Sequence, residues 1–467
     1  MLPFSAIDLS CSAVRALPYE PPGSRLDGWL AHALAAGFLS DGGPLGRYSY
    51  LMAEPVARAE LTYDDPRETT AFLAEVTAAI TPDNEIPKIG DAAIPPFTGG
   101  LVGMAAFELG LRLEAMKRRP FRIEGRKAWP ELIVLCYPAV LAFDHHHQTL
   151  VVIGRGATPA EAAAARDRLV TLYEGTPVSA VVSGRLVDGA LCLETPDGVH
   201  EDKVAALIQQ IHAGDLFQAN LARGWTGRLR RGIRPGAVMA ALHAAGAAPF
   251  GGFLGLDERF VISNSPERFI RLDAGGRLET RPIKGTRPRG RTAGEDRDLA
   301  AELSASEKDR AENLMIVDLM RHDLSRVADV GSVTVPALHV LESYPNVHHL
   351  VSTVTGQLRA DKTAADVIAA TFPPGSISGA PKVQAMKVIH EMEAARGPYC
   401  GSLFFIDAGG AMDSNVLIRT LAMERDEAGR WNIRACAGGG IVADSVPRAE
   451  RIETETKLSL IKRVLEG

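Results

Sequence analysis

Two rhythms of apolar and polar positions run along this chain. Leu132 to Phe143 is apolar throughout, with Pro138 in its middle, and Leu150 to Ile153 resumes the pattern after Asp144-His145-His146-His147. Runs this short, one broken by proline, read as buried strands and not as a membrane span. Together they predict a hairpin whose turn carries the histidines. Three adjacent histidines resemble a metal site, but no further ligand stands near them in sequence, so they read as a solvated turn. Gly46-Arg47-Tyr48-Ser49-Tyr50-Leu51 alternates as a strand does, and Phe253 to Leu256 with Phe260 to Ser263 predicts a hairpin through Asp257-Glu258. Strands are also expected near Ser332 to Val335 and His349 to Val354. The helical period appears at Leu26, Trp29, Leu30, Ala33 and Leu34, over residues 66–80 and 159–173, and at Val204, Leu207, Ile208 and Ile211. It returns as one long helix from about Glu295 to Val327, over Ala364 to Ala370, and at Met386, Ile389 and Met392.

Punctuation divides the pattern. Proline and glycine mark a loop from Pro87 to Thr98, and Gly99-Gly100-Leu101-Val102-Gly103 opens an apolar stretch to Leu113 without the GxGxxG order of a dinucleotide site. Glu174 to Gly198 is rich in small residues, and a boundary is placed there, dividing the chain into residues 1–190 and 191–467. Of the 467 residues, 46% are apolar and 23% charged, which is ordinary globular composition. A net charge of -6 argues against a general nucleic-acid role. The five cysteines form no CxxC pair, so neither a structural zinc nor a disulfide framework is expected, and a reducing, cytoplasmic setting fits. The first residues lack a basic region followed by a long apolar run, so no secretory signal is expected.

Four stretches carry candidate chemistry. In Thr280 to Gly290, Lys284 stands between Ile283 and Gly285, with Arg281, Arg287 and Arg289 around it. A partly desolvated lysine among cations has a lowered pKa and becomes a nucleophile; the alternative is a basic surface turn. Asp309 and Glu312 share one helix face, as do Glu450, Glu453 and Lys457. Two facing acidic helices would suit Mg2+, which needs only one or two protein carboxylates; the alternative is a solvated charged face. Phe372 to Lys382 is a Gly/Ser loop running into a helix, a place for an anion or a plain cap. In the fourth, a strand reaches Gly438-Gly439-Gly440, and Arg419 interrupts an apolar strand where it needs a carboxylate from protein or ligand.

These stretches, with Gly214 to Leu221, Ser265-Pro266-Glu267, Glu312 to Leu319 and His349 to Ser352, resemble the chorismate-utilising enzymes. The resemblance covers about residues 195–467 strongly. It is looser in residues 1–190, which are similar to the N-terminal part of anthranilate synthase component I. The fold it implies is α/β, of the α+β type, with two antiparallel sheets packed as a sandwich, helices outside, and both chain halves contributing. Residues 191–467 would be the chorismate-binding catalytic domain. Water-activating members carry lysine where this chain has Gln218, and a neutral amide cannot act as a base. Anthranilate-forming members usually have alanine at Lys284. The pair implies the branch that makes 4-amino-4-deoxychorismate, with the anthranilate-forming branch as the rival. A non-catalytic carboxylate-binding subunit is the rival from another class, and the presence of Lys284 and all the acids argues against it.

The resemblance further implies a mechanism. Mg2+ held by Glu312 and Glu453, with Asp309 and Glu450 behind, binds the ring carboxylate of chorismate, with contacts from Ser376, Gly379 and Ala380. Tyr399, Arg419 and the Gly438, Gly439 and Gly440 backbone bind the enolpyruvyl carboxylate, and Gln218 and Lys457 join the substrate-binding set. Glu267 is the general acid on the departing C4 hydroxyl, with Thr286 and His349 nearby, and Lys284 attacks C2. No glutaminase triad is visible, so a glutamine amidotransferase subunit is the expected partner. Phe38-Leu39-Ser40-Asp41 stands where relatives carry Leu-Leu-Glu-Ser in a tryptophan pocket, so tryptophan feedback is not expected.

Overall fold

A computed structural model describes residues 7–81, 94–123, 126–344 and 347–467. Its frame is two large antiparallel sheets, of twelve and ten strands. The sandwich interior holds Tyr50, Val140, Leu254 and Val261 from the twelve-stranded sheet against Met104, Ile133, Leu135 and Phe405 from the other. Each sheet buries its second face under helices. Thr69–Ala78, Glu307–Ser325, Ala364–Thr371 and Lys382–Met392 contribute to the core outside the ten-stranded sheet. Pro159–Gly175, Pro235–Gly246 and Pro447–Glu466 do so outside the twelve-stranded one.

This layering explains the apolar run at 132–143. It is two strands, Leu132–Tyr137 in the ten-stranded sheet and Ala139–Asp144 in the twelve-stranded sheet, and Pro138 stands where the chain passes from one to the other. Ile133, Leu135 and Tyr137 face the sandwich interior while Leu132, Val134 and Cys136 face the helices. A strand buried on both faces loses the polar alternation, which is why the two looked like one. The hairpin is therefore Ala139–Asp144 with Thr149–Gly156. His146 and His147 are exposed on its turn, but His145 is half-buried, with Nε2 2.7 Å from the Ser49 hydroxyl and Nδ1 3.0 Å from that of Tyr19.

Other expectations shift in detail. The long helix from Glu295 is two, Ala293–Ala305 and Glu307–Ser325, broken at Ser306, whose hydroxyl caps the second by accepting from the Asp309 amide. The helix at Leu26 is only Leu26–Trp29, and Ala36–Leu39 follows as a strand. Much of the loop expected from Pro87 lies outside the described residues. Among the described residues, 176–196 hold one short strand, Cys192–Leu193. Strands on both sides of this stretch share both sheets: Ala36–Leu39 pairs with Phe250–Gly255, and Gly100–Ala105 with Ser402–Asp407. No described helix is long and apolar enough to cross a membrane.

Candidate active site

The two sheets bring the chemistry together near their edges. Ile283–Pro288 pairs with Val347–Gln357 at the edge of the ten-stranded sheet, and the register slips between Ile283 and Thr286. The slip is a bulge, which re-aims the side chain it carries, and that side chain is Lys284. Gly285 has φ +83°, and an added Cβ would lie 2.8 Å from Leu303 Cδ1 and 3.0 Å from Asp309 Cβ. Glycine is thus required both by conformation and by space. From the twelve-stranded sheet, Gln218–Arg228 pairs with Trp431–Ile441, and the short strand Gly379–Ala380 pairs with Gln218 and Ala219. The strand does not stop at the three glycines but runs through them. Their missing side chains make room: a Cβ on Gly440 would stand 2.6 Å from Gln218 Nε2 and 3.1 Å from Lys284 Nζ, and one on Gly439 2.9 Å from Glu450 Oε2.

Lys284 makes no hydrogen bond or ion pair with a described side chain. Burial draws its pKa below the usual lysine range, with Glu312 opposing and Lys457 assisting. The three flanking arginines do not act as expected, because each is neutralised. Arg281 pairs with Glu342, Arg287 with Glu302 at 2.8 Å and Asp309 at 3.2 Å, and Arg289 with Asp296 at 2.7 Å. Glu267 is buried, and burial pushes its pKa up to about 7, with Ser376, the charge of Lys284 and the Ile283 amide opposing. A carboxyl group in that range can donate a proton near neutrality. The Gln218 side chain is fully buried, and neither amide atom has a hydrogen-bond partner, a costly state unless something else fills it.

The acidic helices do face one another. Lys308 Nζ lies 3.9 Å from Glu312 and 3.9 Å from Glu450, and so bridges the two helices. Burial raises both carboxyl pKa values, with Glu453 adding repulsion. Desolvation pushes Glu453 up as well, but Lys457, 2.6 Å away, together with Lys284 and Lys308 leaves it lowered. Lys457 also donates to the Gly438 carbonyl at 2.8 Å. Asp309 sits beside Gly285 and is held by Arg287. Among the described residues no three His, Cys, Asp or Glu side chains gather closely enough to hold a cation unaided. The all-oxygen donor set on two facing helices fits a hard divalent ion that completes its shell with water and substrate.

At the other side, Thr286 Oγ1 lies 2.9 Å from His349 Nδ1. Burial pushes His349 down to about 4, with the charge of Arg419 adding to it, so the ring is neutral at physiological pH. Arg419 is not on a strand: it has φ +51° in the gap between Met412–Asn415 and Thr420–Arg425. It has no ion pair or side-chain hydrogen bond among the described residues, and burial lowers its pKa. An unpaired, desolvated guanidinium is a ready carboxylate receptor. Tyr399 is buried near Thr420 and Cys436, where they line a small cavity. Sequence reasoning missed Lys308, although its i,i+4 spacing to Glu312 was a signal. It also missed Glu108, Glu393 and Arg396, which no local pattern marks.

The chain matches the chorismate binding enzyme family over residues 38–463 and belongs to it. It is 41% identical to aminodeoxychorismate synthase component 1 of Klebsiella aerogenes over 80% of this chain and 78% of that one. It is also 38% identical to anthranilate synthase component 1 of Thermus thermophilus, over 80% and 79%. The crystal structure of anthranilate synthase component I from Streptococcus pneumoniae superposes with a TM-score of 0.73 at 27% identity, over 89% of this chain and 92% of that one.

Proposed function

We propose that this chain is an aminodeoxychorismate synthase component 1, which converts chorismate and ammonia to 4-amino-4-deoxychorismate and water, on the route to 4-aminobenzoate and folate. The observation that carries the reading is Lys284, drawn below its usual pKa and left without a counter-ion beside the raised carboxyl of Glu267. The neutral amine attacks C2 of the ring, the double bonds shift, and the C4 hydroxyl leaves as water with the proton of Glu267. Ammonia then bonds to C4, the double bonds shift back, and the C2–N bond breaks to return the lysine. Arg419 and Tyr399 bind the enolpyruvyl carboxylate, and neutral His349 with Thr286 lies beside the ring. Glu312 and Glu453, with Glu450 behind them, would hold Mg2+, which when bound supplies positive charge for the ring carboxylate. Gln218 cannot take a proton from water, which supports ammonia as the nucleophile.

The relatives' names carry the words "component 1", which supports a partner subunit; we assign it as a cytoplasmic glutamine amidotransferase that delivers ammonia. The pure chain is then expected to use ammonium salts and not glutamine, and substantial glutamine-driven turnover contradicts the assignment. The second reading, anthranilate formation, is favoured by the Thermus thermophilus relative. Mass spectrometry of products from chorismate, Mg2+ and ammonium separates the two. An aminated product that keeps its enolpyruvyl group, and that an aminodeoxychorismate lyase turns into 4-aminobenzoate, supports C4 amination. Anthranilate with free pyruvate overturns it.

A further inference from the structure

Beneath the site lies a buried arginine that makes no hydrogen bond to any group assigned to the reaction. We propose that Arg396 is a positioning residue. Its guanidinium ties together the strand carrying Gln218, the turn carrying Ser376 and the segment leading to Tyr399. Nη2 donates to the Asn220 carbonyl at 2.8 Å, two residues from Gln218, and Nη1 donates to the Ile377 carbonyl at 3.2 Å, next to Ser376. The fork is locked from behind by Glu393, at 2.8 Å from Nε and 2.9 Å from Nη2, and Glu393 also accepts from the Ala222 amide at 2.7 Å. The guanidinium stands over the rings of Phe107 and Tyr399, 4.6 and 5.8 Å from their centroids. Its own backbone is clamped from the N-terminal region, where the Glu108 carboxylate accepts from the Arg396 amide at 2.7 Å and the Gly397 amide at 3.0 Å.

The chemistry of the fork decides the role. The guanidinium donates in fixed directions to two backbone carbonyls, those of Asn220 and Ile377, to the Asn220 side chain at 3.3 Å and twice to the Glu393 carboxylate. Ser376 stands beside Glu267 and opposes the rise of its pKa, so a shift at Ile377 changes the surroundings of the acid. A lysine at 396 would keep the charge but could not span Asn220, Ile377 and Glu393 together.

The inference rests on the proposed use of Ser376 and Glu267, and chorismate consumption tests it whichever product forms. A chain that makes anthranilate overturns the proposed product and leaves this test intact. Arg396→Lys is expected to lower kcat/KM at least ten-fold at a temperature where circular dichroism reads it as folded. Arg259→Lys, the same change at an ion-paired arginine at the far end of the strand Arg259–Ser265, is expected to leave kcat/KM within two-fold. Ser376→Ala should then cost less in the Arg396→Lys background than in the unmodified chain, because the serine is already misplaced. A merely structural arginine gives losses that multiply. If Arg396→Lys does not fold, Glu393→Gln enters the same cycle, with a smaller loss and the same non-additivity expected. Turnover within two-fold of the unmodified chain, or losses that multiply, overturns the proposal.

Discussion

Two partly buried lysines in this molecule stand in opposite conditions. Lys382, at the start of the helix Lys382–Met392, donates to Asp323 at 2.6 Å and to the Thr371 carbonyl at 2.7 Å. Lys284, on the bulged edge strand, has neither a carboxylate nor a carbonyl within bonding reach, although Glu267 and Glu312 act on its charge. The first is a closed contact in which a charge moved from water is met by a partner. The second keeps the cost of burial without that compensation; desolvation lowers the pKa of both lysines, but only at Lys382 does a bonded carboxylate hold the charge in place. Burial alone therefore does not mark a reactive lysine; burial without a bonded partner does.

The sharpest break of this contrast is methionine at each position. Lys284→Met should lower product formation by roughly 10³-fold or more, with folded stability changed by no more than about 1 kcal/mol. Lys382→Met should do the reverse, costing about 3–5 kcal/mol in urea unfolding because Asp323 is left buried and unpaired, while the folded fraction keeps its turnover. Unchanged turnover in Lys284→Met ends the covalent route. Next in size is Glu267→Gln, expected to lose about 10²–10⁴-fold in kcat. In the unmodified chain kcat/KM rises as Lys284 loses its proton and falls as Glu267 loses its own near 7. The glutamine variant should lack the descending limb, and a descending limb that survives would assign the acid elsewhere.

Stability provides a smaller signal with a definite sign. Glu267 has a folded-state pKa of about 7 against 4.5 for the free side chain, so the folded protein binds the extra proton between these values. Its contribution is present below about 4.5 and is lost as pH rises through about 7. The stability difference between the unmodified chain and Glu267→Gln should therefore shift against the unmodified chain, by on the order of a few kcal/mol, over that window. A difference that stays flat with pH means the carboxyl is not raised. The smallest effect belongs to Arg287→Ala. Its partners Glu302 and Asp309 are partly exposed, so about 1 kcal/mol or less is expected, with the ascending limb of the pH profile moving by less than about half a unit. A larger move would restore to the arginines the influence that their ion pairs deny them.

Much of the site was legible because its residues sit in short ordered blocks, and Lys284, Glu267, Glu312 and the three glycines are each distinctive where they stand. What could not be read was pairing across distance. The arginines around Lys284 looked like free cations because Glu342, Glu302 and Asp296 lie elsewhere in the sequence. Arg419 looked like part of a strand because a left-handed residue between two strands leaves no local trace. The fold was legible as strands and helices, but the run at 132–143 concealed a change of sheet, since burial on both faces erases alternation. Arg396 had no signal at all: its bonds go to backbone atoms that only the folded chain brings near.

The sharing of both sheets by early and late segments has a consequence for the birth of the molecule. Gly37 finds its partner in Phe253, more than two hundred residues further along. At ribosomal speeds of about 5–20 residues per second, the early strands wait for roughly ten to forty seconds with an open edge. During synthesis the nascent chain therefore carries unpaired, apolar strands that cannot close until the second half emerges, and it is in that interval, not in the finished enzyme, that a chaperone has most to protect.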